Sequence, residues 1–228
     1  MTADLKNFVP RARPARETME GRFVRLEPLD AARHGDDLYA ASTVSDADRR
    51  FTWLPDSPPK TREEYDAWLA GAEASADPLY FAVVDRKTGK ACGRQTFMRI
   101  DQKNGGIEIG NVYWGPLISR TPMSTEALYL FARRAFDDLG YRRFEWKCDH
   151  DNAPSERAAE RFGFTFEGVF RQHLIVKGKN RDTAWFSMVD SEWPLNRKVF
   201  EGWLDPSNFD SEGRQKRRLE EIRADIAR

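Results

Sequence analysis

WGPLISRTPMSTEA, residues 114–127, reads as a strand that turns into the N-terminus of a helix. Thr121 is a residue type that caps helices, and Pro122 suits the first helical position, where no N–H is required. Beyond it, Ala127, Leu128, Phe131, Ala132, Ala135, Phe136 and Leu139 recur at helical spacing. They predict an amphipathic helix with a wide apolar face, and Gly140 is placed to end it. A helix N-terminus gathers free backbone N–H groups and the positive end of the helix dipole, so it favours a phosphate. Arg120 adds a cation beside it. Strand–helix junctions are common, however, so the chemistry must be argued from the surroundings.

Upstream, three strand patterns occupy residues 79–85, 90–101 and 107–114, joined by Arg86-Lys87-Thr88-Gly89 and Gln102-Lys103-Asn104-Gly105-Gly106. Connections this short reverse the chain, so the three strands form an antiparallel meander. Before them, Phe23-Val24-Arg25-Leu26-Glu27 alternates as a strand, Asp30 caps a helix, and Thr61-Arg62-Glu63-Glu64 has the form of a capping box. Downstream, residues 142–149 alternate as a strand. Asn152-Ala153-Pro154-Ser155 opens a second helix that stops at Gly163, and strands are expected at 164–171, 173–177 and 183–189. This order predicts an α/β fold with a mixed sheet and one parallel crossover through the helix after Thr121.

The ends are read differently. Residues 1–19 form an arm, loose or laid across the domain, and residues 20–194 form the domain itself. Residues 195–228 form a helical extension in which Val199, Phe200, Trp203 and Leu204 make an apolar stripe. The charged run at 213–228 carries only Leu219, Ile222 and Ile226 at helical spacing, and is expected to be held less firmly.

Composition narrows the function. Lys+Arg and Asp+Glu number 37 each, so the net charge is zero, which argues against a nucleic-acid binder. The longest apolar runs fall far short of the ~20 residues a bilayer demands. The N-terminus lacks an apolar secretory core, and two cysteines make no disulfide framework. A cytoplasmic protein without a membrane partner is expected. His34, His150 and His173 lack metal-ligand spacing, so no metal is expected. No Walker or GxGxxG pattern supports ATP or NAD.

Taken in order, a set of motifs is specific. They are Gly21-Arg22-Phe23-Val24-Arg25-Leu26-Glu27-Pro28, Ile107-Glu108-Ile109-Gly110, Ser124-Thr125-Glu126-Ala127-Leu128, Leu139-Gly140-Tyr141-Arg142-Arg143, Asp151-Asn152-Ala153-Pro154-Ser155 and Arg161-Phe162-Gly163-Phe164 with Glu167-Gly168, closing with residues 178–183. The chain resembles the GNAT superfamily of acyl-CoA N-acyltransferases, RimJ/RimL-like branch, over roughly residues 20–194. The resemblance implies a mixed, mostly antiparallel sheet opened at the cofactor site, with helices on both faces. It implies acetyl-CoA, or another acyl-CoA, as co-substrate, and a small-molecule amine or a protein N-terminus as acceptor. A homodimer is a further expectation.

The resemblance also assigns residues. The family cradles the CoA pyrophosphate on a turn of pattern Gln/Arg-x-x-Gly-x-Gly/Ala. Here the turn reads Ser119-Arg120-Thr121-Pro122-Met123-Ser124, followed by Thr125. Pro122 stands at a glycine position and offers no N–H; Arg120 is expected to offset that loss with charge-assisted bonds. Cofactor contacts are therefore expected from Ser119, Arg120, Thr121, Met123, Ser124 and Thr125, and from Asn152 and Ser155 along the pantetheine arm. Glu108 is the expected general base, since an attacking ammonium must lose a proton. Gly110, two residues on, suggests a bend that opens the sheet. The tyrosine acid of many members falls at Ala159, which leaves Ser155 as the candidate partner of the leaving thiolate. The expected function is N-acetyl transfer by direct attack of an amine on the thioester. The alternative is a non-catalytic acyl-CoA-binding or regulatory module on the same fold.

Overall fold

The computed structural model describes residues 5–227. The arm lies across the domain. Arg11 donates its backbone N–H to Gln102 O at 2.9 Å, Gln102 Nε2 returns a bond to Arg11 O at 2.8 Å, and Tyr141 Oη donates to Ala12 O at 3.0 Å. The arm runs into a short strand, β1 (Met19–Glu20), that was not expected. Residues 1–4 of the arm lie outside the described residues.

After β1 come β2 (Val24–Pro28), α1 (Ala31–Ser42), α2 (Ala47–Phe51) and α3 (Arg62–Ala74), then the meander β3 (Leu79–Asp85), β4 (Ala91–Asp101) and β5 (Gly106–Trp114). The helix α4 (Pro122–Arg133) widens into a π-helical turn at Arg134–Asp138. Then follow β6 (Arg143–Asp149), α5 (Ala153–Phe162), β7 (Thr165–Val176), β8 (Lys179–Val189), α6 (Trp193–Leu204) and α7 (Leu219–Ile226). The strands make one sheet in the order β1-β2-β3-β4-β5-β6-β8-β7, antiparallel except for β5 with β6. That parallel pair brackets α4, as a crossover requires.

Strand alternation divides the core. On β3, Leu79, Phe81 and Val83 join a large cluster with Leu128, Phe131, Phe162 and Phe200; Tyr80, Ala82 and Val84 join a smaller one with Leu38, Tyr65 and Leu69. Successive strand residues face opposite ways, so α1 and α3 cover one face of the sheet while α4, α5, α6 and α7 cover the other. Phe97 stacks on Phe131 with centroids 3.9 Å apart, which locks α4 to β4.

The sheet opens where the function is expected. β5 and β6 pair only between Gly106–Ile109 and residues 143–146. Beyond Ile109 the β4–β5 register slips, with Thr96 opposite Gly110 but Arg94 opposite Tyr113. The extra residue on β5 is a bulge, and Asn111 within it takes φ +47°. Gly110 lets the Met98 side chain pack against the backbone there, since a Cβ would force Met98 to move. β6 runs on to Asp149 paired with β8 alone.

Two expectations change. The strands expected at 164–171 and 173–177 are one strand, β7, kinked by a register shift between Phe170 and Leu174 with Gln172 at φ +51°. The run at 213–228 is not loosely held: Leu219 and Ile222 are buried in the same large cluster as Val199, Phe200 and Trp203. Their helical spacing is legible in the sequence, but their burial depends on packing against α6.

Candidate active site

Two cavities lie on either side of an aromatic partition. The first, of about 700 Å³, opens at the N-terminus of α4. Thr121 caps that helix, its Oγ1 accepting the Met123 N–H at 3.3 Å and donating to Ile118 O at 2.7 Å. Ser124 Oγ donates to Thr121 O at 2.9 Å, and Ser119 Oγ donates to Trp114 O at 3.0 Å. These hydroxyls brace the turn that Pro122 begins. Arg120 takes φ +63°, a conformation unusual for a residue with a Cβ, and lines the cavity.

The structure brings Ser119, Arg120, Thr121, Ser124 and Thr125 together on this cavity. Met123 is outside the lining and packs against the core. Arg161 was not singled out as a site residue, yet it reaches from α5 to donate to Thr125 Oγ1 at 3.1 Å and lines the cavity between Phe162 and Trp203. Burial lowers its pKa from the ordinary value. The far wall is the C-terminal extension: Trp203, Phe209, Gly213, Arg214 and Gln215. Among the described residues three arginines and no carboxylate line the cavity, and Arg214 is itself paired with Asp210 and Glu212. With a helix N-terminus added, that donor set fits a polyanion such as the phosphates of CoA.

Glu126, inside the same motif, has a structural task. Buried at 4% exposure, it accepts the backbone N–H groups of Arg22, Phe23 and Val24 at 2.7, 2.6 and 2.8 Å. Gly21 makes room for it, since a Cβ there would lie 2.5 Å from the carboxylate.

The second cavity, of about 550 Å³, fills the opening between β5 and β6. Glu108, Asn152 and Ser155 line it together with the bulge residues Gly110, Asn111 and Val112. Glu108 is 3% exposed. Its Oε1 accepts from Arg99 Nη1 at 2.7 Å and its Oε2 from Lys147 Nζ at 2.8 Å. Lys147 also donates to Glu145 at 2.6 Å and rests 3.7 Å over the Trp185 ring. Each carboxylate oxygen thus accepts one charged hydrogen bond and keeps acceptor capacity for a proton delivered directly or through a bridging water. Arg99 is the looser partner, 47% exposed against 5% for Lys147.

Asn152 caps α5, its Oδ1 accepting the Ser155 N–H at 3.3 Å. Ser155 Oγ accepts from Trp146 Nε1 at 3.0 Å, which leaves its own O–H to donate. It also hydrogen-bonds Cys148, whose thiol burial still pushes up to about 11. The partition between the cavities is Trp114, Trp146 and Phe162, with centroids 6.2–6.5 Å apart. Among the described residues no group of three His, Cys, Asp or Glu is arranged to hold a metal, and no helix is long and apolar enough to cross a membrane.

Comparison with known proteins agrees with this geometry. A GCN5-related N-acetyltransferase from Brucella melitensis superposes with a TM-score of 0.95 at 60% identity, over 96% of this chain and 100% of that one. The Bacillus subtilis protein named "Putative ribosomal N-acetyltransferase YdaF" is 32% identical over 74% of this chain and 90% of its own length. The "Uncharacterized N-acetyltransferase p20" of Bacillus licheniformis is 28% identical over 50% of this chain, and the match spans 63% of p20. Residues 24–165, more than half of the chain, match the acetyltransferase (GNAT) domain, and this protein belongs to that family.

Proposed function

We propose that the protein is an acetyl-CoA-dependent N-acetyltransferase of the RimJ/RimL-like kind. The observation that carries the reading is the pairing of an arginine-lined cavity at the α4 N-terminus with a second cavity holding Glu108 and Ser155. Arg120, Arg161 and the first turn of α4 would hold the phosphates of the co-substrate. Bound there, acetyl-CoA supplies a thioester whose carbonyl an amine can attack, forming a C–N bond as the C–S bond breaks. Glu108 takes the proton that the attacking ammonium must lose, directly or through a bridging water. Ser155, whose O–H is directed at Cys148, would turn that proton to the leaving thiolate. The bulge at Gly110–Val112 frees backbone groups of β5 from pairing with β6, which supports charge stabilisation by backbone N–H there.

The acceptor class includes small amines and protein N-termini, and the name of the YdaF relative favours a ribosomal protein. The two free thiols suit a reducing, cytoplasmic setting. β7 is the sheet's free edge, with Phe166, Phe170 and Ile175 exposed, and is the surface a second copy would use. Thiol release from acetyl-CoA, measured across a panel of amines and N-terminal peptides, tests the reading. A non-catalytic acyl-CoA-binding module is the second reading, favoured by the double ion pairing of Glu108. That module would bind CoA in a calorimeter and release thiol with no amine.

A further inference from the structure

The second cavity contains a cation without a counterpart. Arg50, Arg99, Lys147 and Arg181 line it against two carboxylates, Glu108 and Asp149. Arg50 pairs with Asp46 at 2.8 Å, while Arg99 and Lys147 pair with Glu108. Among the described residues the Arg181 guanidinium makes no hydrogen bond or ion pair, and its Nε is buried without a partner. Burial lowers its pKa from the ordinary value, with Asp149 opposing that shift from beyond ion-pair distance. Arg181 is part-buried with its Nε fully enclosed, and an unpaired guanidinium that faces a cavity is completed by water or by an anionic ligand.

The local fold keeps it unpaired. Asp182, next on β8, points to the opposite face, and its Oδ1 accepts from Gln172 N at 2.7 Å and Asn180 Nδ2 at 2.8 Å. The β7–β8 hairpin is pinned by Lys177 Nζ, which donates to Phe51 O at 2.8 Å. That bond sets Leu174 and Val176 opposite Trp53, Leu54 and Pro55 across the cavity. The chamber therefore offers one free cation, one carboxylate at the opened strand and an apolar rim.

We propose that Arg181 binds an anionic group of the acceptor, so that the substrate is a small amine bearing a carboxylate or phosphate anion and an apolar body. This rests on the N-acetyltransferase reading. The test uses pairs of amines that differ only in the anion: phenylalanine against phenylalaninamide, leucine against leucinamide, and 2-aminoethylphosphonate against ethanolamine. The protein is assayed with acetyl-CoA as parent, Arg181→Gln and Arg181→Lys, and binding of each amine is followed by calorimetry. The anionic member should be preferred at least tenfold in kcat/KM in at least one pair. In Arg181→Gln its KM should rise about 10- to 100-fold, as for loss of a charged hydrogen bond, while the neutral member and CoA affinity hold steady. Arg181→Lys should recover part of the preference. If neutral amines or peptide amides are the better acceptors, or Arg181→Gln leaves the preference intact, the proposal is overturned and the transferase reading stands. If neither these amines nor a panel of N-terminal peptides releases thiol, the transferase reading falls. Calorimetry then decides alone: Arg181-dependent binding of the anionic amines supports the site, and its absence overturns it.

Discussion

Leu219 is the sharpest place to perturb the C-terminal extension. It is fully buried, with Ile222 beside it at 6% exposure, in the large cluster that contains Val199, Phe200 and Trp203. Leu219→Ala should cost about 2–5 kcal/mol through lost burial and a residual cavity. For a chain of this size a kcal/mol lowers Tm by about 2–4 °C, so a fall of roughly 4–20 °C is expected. Deleting residues 213–228 removes both side chains, roughly 1.5–3 kcal/mol each, against a total stability of about 5–15 kcal/mol. It also removes Gly213, Arg214 and Gln215 from the cavity wall. Thermal melts with and without CoA separate the two effects. Leu219→Ala should lower the melt but keep its upward shift with CoA, whereas the deletion should lose both. A Leu219→Ala melt within about 2 °C of the parent would refute the docking of α7, and with it the extension's part in the cavity.

Three further outcomes follow from the site. Glu108→Gln should lower turnover about 10²–10⁴-fold with CoA affinity unchanged in calorimetry; a drop under about threefold on a true acceptor would leave Glu108 as an ion-pair residue of β5. Arg161→Met and Arg120→Ala should each weaken CoA binding about 10- to 100-fold, and unchanged affinity would show that the guanidinium does not meet the phosphates. The Arg143 guanidinium, bonded to Glu167 at 2.7 and 2.5 Å, holds that carboxyl below its ordinary value of 4.5. A depressed carboxylate adds stability that is present above the unfolded pKa and lost as pH falls through the folded one. Glu167→Gln should therefore narrow the drop in Tm on acidification below about pH 4.5, and an unchanged acid profile would count the pair as screened by solvent.

What the chain reveals by reading alone depends on how local the cause is. Thr121-Pro122 announces α4 because capping is decided within four residues, and Gly110 marks the bend because a glycine inside a strand is a local signal. The meander is legible from its turns. β7 reads as two strands because Arg171-Gln172-His173 interrupts the apolar alternation, while the ladder to β8 continues around the bulge. The docking of α7 rests on two apolar residues in a charged run, and only the groove beside α6 gives them meaning. Arg161 stood within a recognised motif, yet its reach to Thr125 spans 36 positions. The ion pairs of Glu108 draw Arg99 from β4 and Lys147 from β6, and no spacing rule connects three strands.

The two cavities differ in charge balance. A phosphate chain drawn to the first would meet Arg120 and Arg161, with Arg214 already paired to Asp210 and Glu212. In the second it would face Glu108 and Asp149, and one arginine alone is unengaged. On the proposed reading, an elongated ligand whose phosphates sit in the first cavity would direct its uncharged end past Trp114 toward the opened strands. Trp146 stands at that passage, and its indole N–H fixes Ser155 on the far side. Among the described residues the second cavity carries four cationic side chains against Glu108 and Asp149, so an ammonium there would be held by contact with a carboxylate and not by the cavity's net charge. The aromatic partition separates the two cavities, and the short pairing of β5 with β6 sets where they approach each other.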